Sequence, residues 1–154
     1  MFRARMKAIS PVIATIIIVA VTIAIAVAVA GWLMGLWSGY TNTPALSINT
    51  ATLYNDTGTL VMLVSNTGTG DAVFQYVEAG GIACTSPTAI YVDGSQVTSY
   101  SAVVIKPGAQ NVNVTVVCDK WAGAFTPGQN VEVRVILKTG QTATAWATVK
   151  AGSP

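Results

Sequence analysis

From Val12 to Trp37 the chain is one apolar run, interrupted only by Thr15, Thr22, Gly31 and Gly35. That is longer than the roughly 20 residues needed to cross a bilayer as a helix. Ser10-Pro11 gives the run a good helix start, because Ser caps the first free N–H groups and Pro has none to lose. The interior is rich in Val and Ile, and Ile23 to Ala30 alternates in a strand-like way. In lipid, however, every backbone polar group must be satisfied within the segment, so the pattern predicts a helix over 9–40. This helix is apolar on all sides and therefore faces lipid or other apolar helices.

Ala20, Ala24 and Ala28 recur at four-residue spacing, as do Ala26 and Ala30. Gly31, Gly35 and Gly39 repeat the spacing, which is the pattern of close helix–helix approach. The plainer alternative is that alanine is common in membrane helices and that the glycines mark fraying.

Residues 38–44 are polar and contain Gly39 and Pro44, so a linker is expected at 41–44. Beyond it the period becomes two. Val131, Val133, Val135 and Leu137 alternate with more polar neighbours, and Val112, Val114 and Val116 do the same. Leu60 to Val64 is apolar on both faces, as expected of a central strand covered on two sides. Further strands are expected at 45–54, 72–79, 88–93, 97–105 and 142–149. Turn signals separate them, and Asp93-Gly94 is a type I′ hairpin candidate. Short strands at about ten-residue spacing indicate a β-sandwich. The expected fold class is α+β: a long N-terminal helix, then an Ig-like antiparallel sandwich head over 45–154.

Charge sharpens this picture. Arg3, Arg5 and Lys7 precede the apolar run, and no charge occurs between Ala8 and Asn55. Cations just ahead of an apolar segment hold that end in the cytoplasm and send the body outside. The body itself carries Lys106, Lys120, Arg134, Lys138 and Lys150 against Asp56, Asp71, Glu78, Asp93, Asp119 and Glu132. A near-neutral body argues against nucleic-acid binding, which needs a basic patch to displace counterions. Cys84 and Cys118 would lie where a disulfide persists. Their pairing would stabilise the head by roughly 3–4 kcal/mol; the alternative is two buried thiols.

The chain has no histidine, which excludes imidazole metal sites and His-based general-base catalysis. It has no G-x-S-x-G elbow and no phosphate loop. The acids read as solvated surface rather than a catalytic pair, and Asn55-Asp56-Thr57-Gly58 lacks the ligand spacing of a calcium loop. Neither an enzyme nor a cofactor is expected. Two N-x-[ST] sequons, at Asn55 and Asn113, are glycan acceptors on an exported body if exposed. Asn113 and Thr115 alternate with the apolar face of their strand, and Asn55 falls in a turn.

An ordinary secretory signal would be cut near Ala26-Val27-Ala28 or Ala28-Val29-Ala30, but the apolar run continues past both sites. A permanent anchor is physically allowed. The stretch Lys7 to Thr15, KAISPVIAT behind a basic leader and ahead of the apolar run, resembles the N-terminus of archaeal type IV pilins. Pro44 to Ile48 and Leu63 to Asp71 resemble, more weakly, the first strands of their Ig-like heads. The resemblance implies a leader over 1–8, removed by a prepilin peptidase between Ala8 and Ile9. Ile13 stands where bacterial pilins carry Glu, a departure common among archaeal pilins with this start. It further implies a precursor held in the cytoplasmic membrane with its head outside. Identical subunits would then polymerise through their helices into an extracellular adhesion filament, served by an assembly ATPase and a membrane platform protein. A permanently anchored surface binding module and an archaellum-type filament subunit are the competing readings, though the latter usually starts G-I-x-x-[IL]-E.

Overall fold

The structure, a computed structural model, describes residues 11–154, and the side chains of residues 38–41 lie outside that description. The basic leader and the Ala8–Ile9 junction also fall outside it. The chain divides into two compact units, residues 1–41 and Asn42–Pro154.

The first unit contains α1, Pro11–Thr41. Its 31 residues extend about 46 Å at 1.5 Å per residue. Pro11–Trp37 is long and apolar enough to cross a membrane, and none of the span is buried. The two threonines in the run present little polarity, because each hydroxyl turns back onto its own helix. Thr15 Oγ1 donates to Val12 O and Thr22 Oγ1 to Val19 O, both at 2.8 Å.

The second unit is a β-sandwich head. Its strands are β1 (Leu46–Tyr54), β2 (Thr59–Asn66), β3 (Ala72–Ala79), β4 (Ile82–Cys84) and β5 (Ala89–Val92). They continue with β6 (Ser95–Val97), β7 (Val104–Ile105), β8 (Val112–Val117), β9 (Asn130–Leu137) and β10 (Thr142–Lys150). The order across the curled sheet is β4-β3-β9-β10-β1-β2-β8-β5-β6, with β7 paired to β3. Pairing is antiparallel except at β1–β10, which run parallel with Leu53 opposite Val149. That short seam joins the two layers of an α+β chain's antiparallel head. Inward residues of the layers, including Leu60, Met62, Phe74, Val114, Val116, Val133 and Val135, form one buried core.

Most strands follow the period-two pattern. β3 and β8 occupy 72–79 and 112–117 as expected, and β9 buries Val131, Val133, Val135 and Leu137. The Asp93-Gly94 turn carries positive φ at both residues, 48° and 81°, and joins β5 to β6 with Val92 opposite Ser95. This is the geometry of a type I′ turn.

Two expectations are corrected. The strand expected over 97–105 is broken. β6 ends at Val97, a 3₁₀ turn occupies Tyr100–Ala102, and β7 then pairs with β3 on the other layer. The chain crosses the head here, and Tyr100, Val103 and Ile105 bury their side chains on the way. Burial of three apolar groups outweighs continued pairing, because each contributes about 1.5–3 kcal/mol. The second correction concerns Leu60 to Val64. β2 is central, between β1 and β8, but its two faces are not equally buried. Val61 and Leu63 are half-buried on the face turned away from the core.

Candidate functional site

Among the described residues, no group of three or more His, Cys, Asp or Glu side chains could hold a metal ion. An open groove of about 320 Å³, lined by residues including Pro44, Leu46, Leu137 and Ala143, carries no charged side chain. The functional candidates are instead two surfaces and two fastenings.

The first surface is α1. Its large side chains from Val12 to Trp37 are all strongly exposed, with Trp32 at 65% and Trp37 at 71%. At about 100° per residue, Ala20, Ala24, Ala28, Gly31 and Gly35 fall within about 80° of one another around the axis. They form a single narrow stripe. A Cβ built on Gly31 or Gly35 would meet no atom within 4 Å beyond the local helix backbone. Ile16, Ile17, Ile23, Ile25 and Val27 are exposed as well, so the stripe is the thin part of an otherwise bulky apolar cylinder.

The first fastening lies at the start of the head. Residues 42–45 have no regular structure, yet they are not a loose linker. Thr67 N donates to Ala45 O at 3.0 Å, and Thr69 N donates to Thr43 O at 3.0 Å. The hub is Asn66, fully buried at the end of β2. Its Nδ2 donates to Gly70 O and Ile105 O, both at 2.8 Å, and its Oδ1 accepts from Ala45 N at 3.1 Å and Gly68 N at 3.0 Å. Both donors and both acceptor positions of the carboxamide are used. The close approach explains two glycines. A Cβ at Gly68 would lie 2.3 Å from Ala45 N, and one at Gly70 would lie 2.6 Å from Asn42 O. In the sequence, Asn66-Thr67-Gly68 reads only as a turn signal between strands. The Gly68 and Gly70 pair was the available signal that a backbone passes close by.

The second fastening is the Cys84–Cys118 disulfide, 34 residues apart in sequence. Cys84 ends β4, at one extreme of the strand order, and Cys118 follows β8, near the other. The bond therefore ties the two ends of the curled sheet across the core. Beside it Trp121, fully buried, donates from Nε1 to Ile82 O at 3.0 Å. The short β4 edge is thus pinned twice to the segment after β8.

The second surface carries a sequon. Asn113 is exposed on β8, directly opposite Leu63 of β2, and Thr115 lies opposite Val61 and Tyr91. Thr115 Oγ1 donates to Asn113 Oδ1 at 3.4 Å. Asn55 is placed differently. It is half-buried, and its Oδ1 accepts Phe125 N–H at 3.0 Å. Its backbone N–H donates to Lys150 O at 2.9 Å and its carbonyl accepts Gly123 N–H at 2.8 Å. Thr57, the third residue of that sequon, turns its hydroxyl to Thr59 Oγ1 at 2.8 Å.

No protein-family model and no curated protein sequence matches the chain. Among solved structures, the chain is similar to the archaellum periplasmic stator protein FlaG from Sulfolobus acidocaldarius, with 15% identity and a TM-score of 0.41 over 68% of this chain and 99% of that one. It is also similar to a structure of the periplasmic stator complex of FlaF and FlaG from the same organism. There the identity is 16% and the TM-score 0.40, over 66% of this chain and 86% of that one. A third structure, the Iho670 flagellar-like filament, matches with 15% identity and a TM-score of 0.37, over 91% of this chain and 98% of that one.

Proposed function

We propose that this chain is a structural subunit that polymerises through α1 into an extracellular type IV pilus-like filament used for adhesion. The supporting observation is α1 itself, apolar and exposed on every side from Val12 to Trp37 with no polar face. An uninterrupted apolar surface of this size needs lipid or another apolar surface around it. A helix without a polar face suits both settings in turn: the bilayer before assembly, and a core of its own copies afterwards. The stripe of Ala20, Ala24, Ala28, Gly31 and Gly35 gives those copies a line of close approach.

In this reading a prepilin peptidase cuts between Ala8 and Ile9 and removes Arg3, Arg5 and Lys7. Three unpaired cations could not enter an apolar core, since each buried unpaired charge costs several kcal/mol. The precursor waits in the cytoplasmic membrane with the head outside. An assembly ATPase and a membrane platform protein then drive the transfer. The subunit has no catalytic role and requires no cofactor. A permanently anchored surface module is the second reading, favoured by the same bilayer-spanning length.

Mass spectrometry of sheared surface filaments decides between them. The expected N-terminus is Ile9; one at Met1, or beyond Ala28, overturns the proposal. Ile17→Glu should leave a folded, membrane-bound precursor and no filaments, and normal filaments from that variant would count against a helical core.

A further inference from the structure

We propose that Asn113 carries an N-linked glycan lying over the half-buried apolar strip of Val61, Leu63 and Tyr91, and that Asn55 stays unmodified. The proposal rests on the exported head of the reading above, not on polymerisation.

The two sequons differ in geometry. At 113–115, side chains two apart on a strand share a face, so the acceptor amide and the Thr115 hydroxyl project together away from the core. The hydroxyl hydrogen-bonds to Asn113 Oδ1 at 3.4 Å. At 55–57, the Thr57 hydroxyl is committed to Thr59 instead. The Asn55 carboxamide holds Phe125 N–H, and Asp56 Oδ2 accepts Gly152 N–H at 2.6 Å. Asn55 itself is half-buried and belongs to the head's internal fastening, while Asp56 and Thr57 are exposed.

The surroundings of Asn113 supply the second strand of the argument. In antiparallel pairs, directly opposed side chains stand on one face about 4.5–5.5 Å apart. Leu63 is opposed to Asn113, and Val61 to Thr115, with Tyr91 on the far side of Thr115. These three are half-buried on the face turned away from the core. Sugar rings present apolar C–H faces as well as hydroxyls, and a glycan rooted at Asn113 begins beside Leu63. The neighbouring Thr50 and Thr52, paired with Leu63 and Val61, offer hydroxyls at the strip's border.

The donor is an oligosaccharide carried on a lipid phosphate or diphosphate. Asn113 Nδ2 forms a bond to the anomeric carbon, and the anomeric C–O bond to the phosphate breaks. The electron pair leaves with the lipid phosphate, and one amide proton passes to a base of the transferase. Nothing is oxidised or reduced.

The test is glycopeptide mass spectrometry on the full chain isolated from the cells that make it, beside Asn113→Gln, Asn55→Gln and Thr115→Ala. A glycan on the Asn113 peptide, lost in Asn113→Gln and Thr115→Ala and kept in Asn55→Gln, is the expected result. A bare Asn113, or a glycan on Asn55, overturns the proposal. The disulfide state in the same digest separates the two readings: oxidised Cys84–Cys118 with a bare Asn113 overturns the glycan alone, whereas reduced cysteines count against export too. For the covering role, Asn113→Gln should bind more of an apolar-surface dye than the native protein, and adding Leu63→Thr should reverse the gain. Unchanged dye binding in Asn113→Gln would overturn that part of the proposal.

Discussion

The side-chain oxygen of Asn66 accepts the backbone N–H of Ala45 at 3.1 Å, fixing the entry of the chain into the head from the end of a central strand. The same carboxamide holds Gly68, Gly70 and Ile105, so one buried residue joins the entry segment, the loop after β2 and the strand β7. This makes Asn66 a place where a small change has a large effect.

Asn66→Leu keeps the volume but leaves the N–H groups of Ala45 and Gly68 and the carbonyls of Gly70 and Ile105 without this partner. A buried unsatisfied group costs about 1–3 kcal/mol. We expect the variant head to lose at least about 3 kcal/mol of unfolding free energy, read by urea denaturation, and to be cut by protease within residues 42–45. A loss under about 1 kcal/mol, with residues 42–45 still protected, would contradict the role assigned to Asn66.

The contrast between β9 and Asn66 shows what a sequence discloses. Val131, Val133, Val135 and Leu137 are legible because strand burial has a period of two, a local property visible in eight residues. The apolar helix is legible for the same reason, and so is the Asp93-Gly94 turn. Asn66 draws two of its four partners from residues 21 and 39 positions away, which no local pattern encodes. The break after Val97 was equally hidden, because Tyr100, Val103 and Ile105 are buried singly by a crossing segment rather than by a periodic element. The three-residue β4 is too short to carry a period at all. The two sequons are identical as motifs, and only hydrogen bonding and burial distinguish Asn55 from Asn113.

The disulfide supports a second prediction. Cys84 and Cys118 enclose a loop with a sequence separation of 34, for which the chain-entropy estimate is about 3–4 kcal/mol. Replacing both cysteines by Ala, or reducing the protein, should lower the melting temperature of the head by more than about 10 °C. The indole bond from Trp121 to Ile82 O remains in that variant. Amide exchange should therefore accelerate most at β4 and least at the β1–β10 seam. Uniform acceleration over the whole head would contradict the picture of a local end-to-end tie.

Tyr100 gives the head a defined response to alkaline conditions. Its ring is buried, and desolvation pushes the phenol well above the ordinary tyrosine range, only partly countered by the nearby Val77 backbone. The hydroxyl finds no partner at hydrogen-bonding distance and angle among the described residues. The proton is therefore held more tightly in the folded state than in the unfolded one. Below about pH 10 both states carry it and stability is unaffected. Above that, the unfolded chain loses the proton while the folded head keeps it, so stability falls with rising pH by up to about 1.4 kcal/mol per unit. Tyr100→Phe keeps the buried ring and deletes the unpaired hydroxyl. We expect its unfolding free energy at pH 7 to match the native protein within about 1 kcal/mol. Between pH 10 and about 12 its decline should be shallower than the native one by that slope. Urea titrations of the two proteins at pH 8 and pH 11 provide the comparison, and parallel losses would show that Tyr100 does not titrate on unfolding in this range.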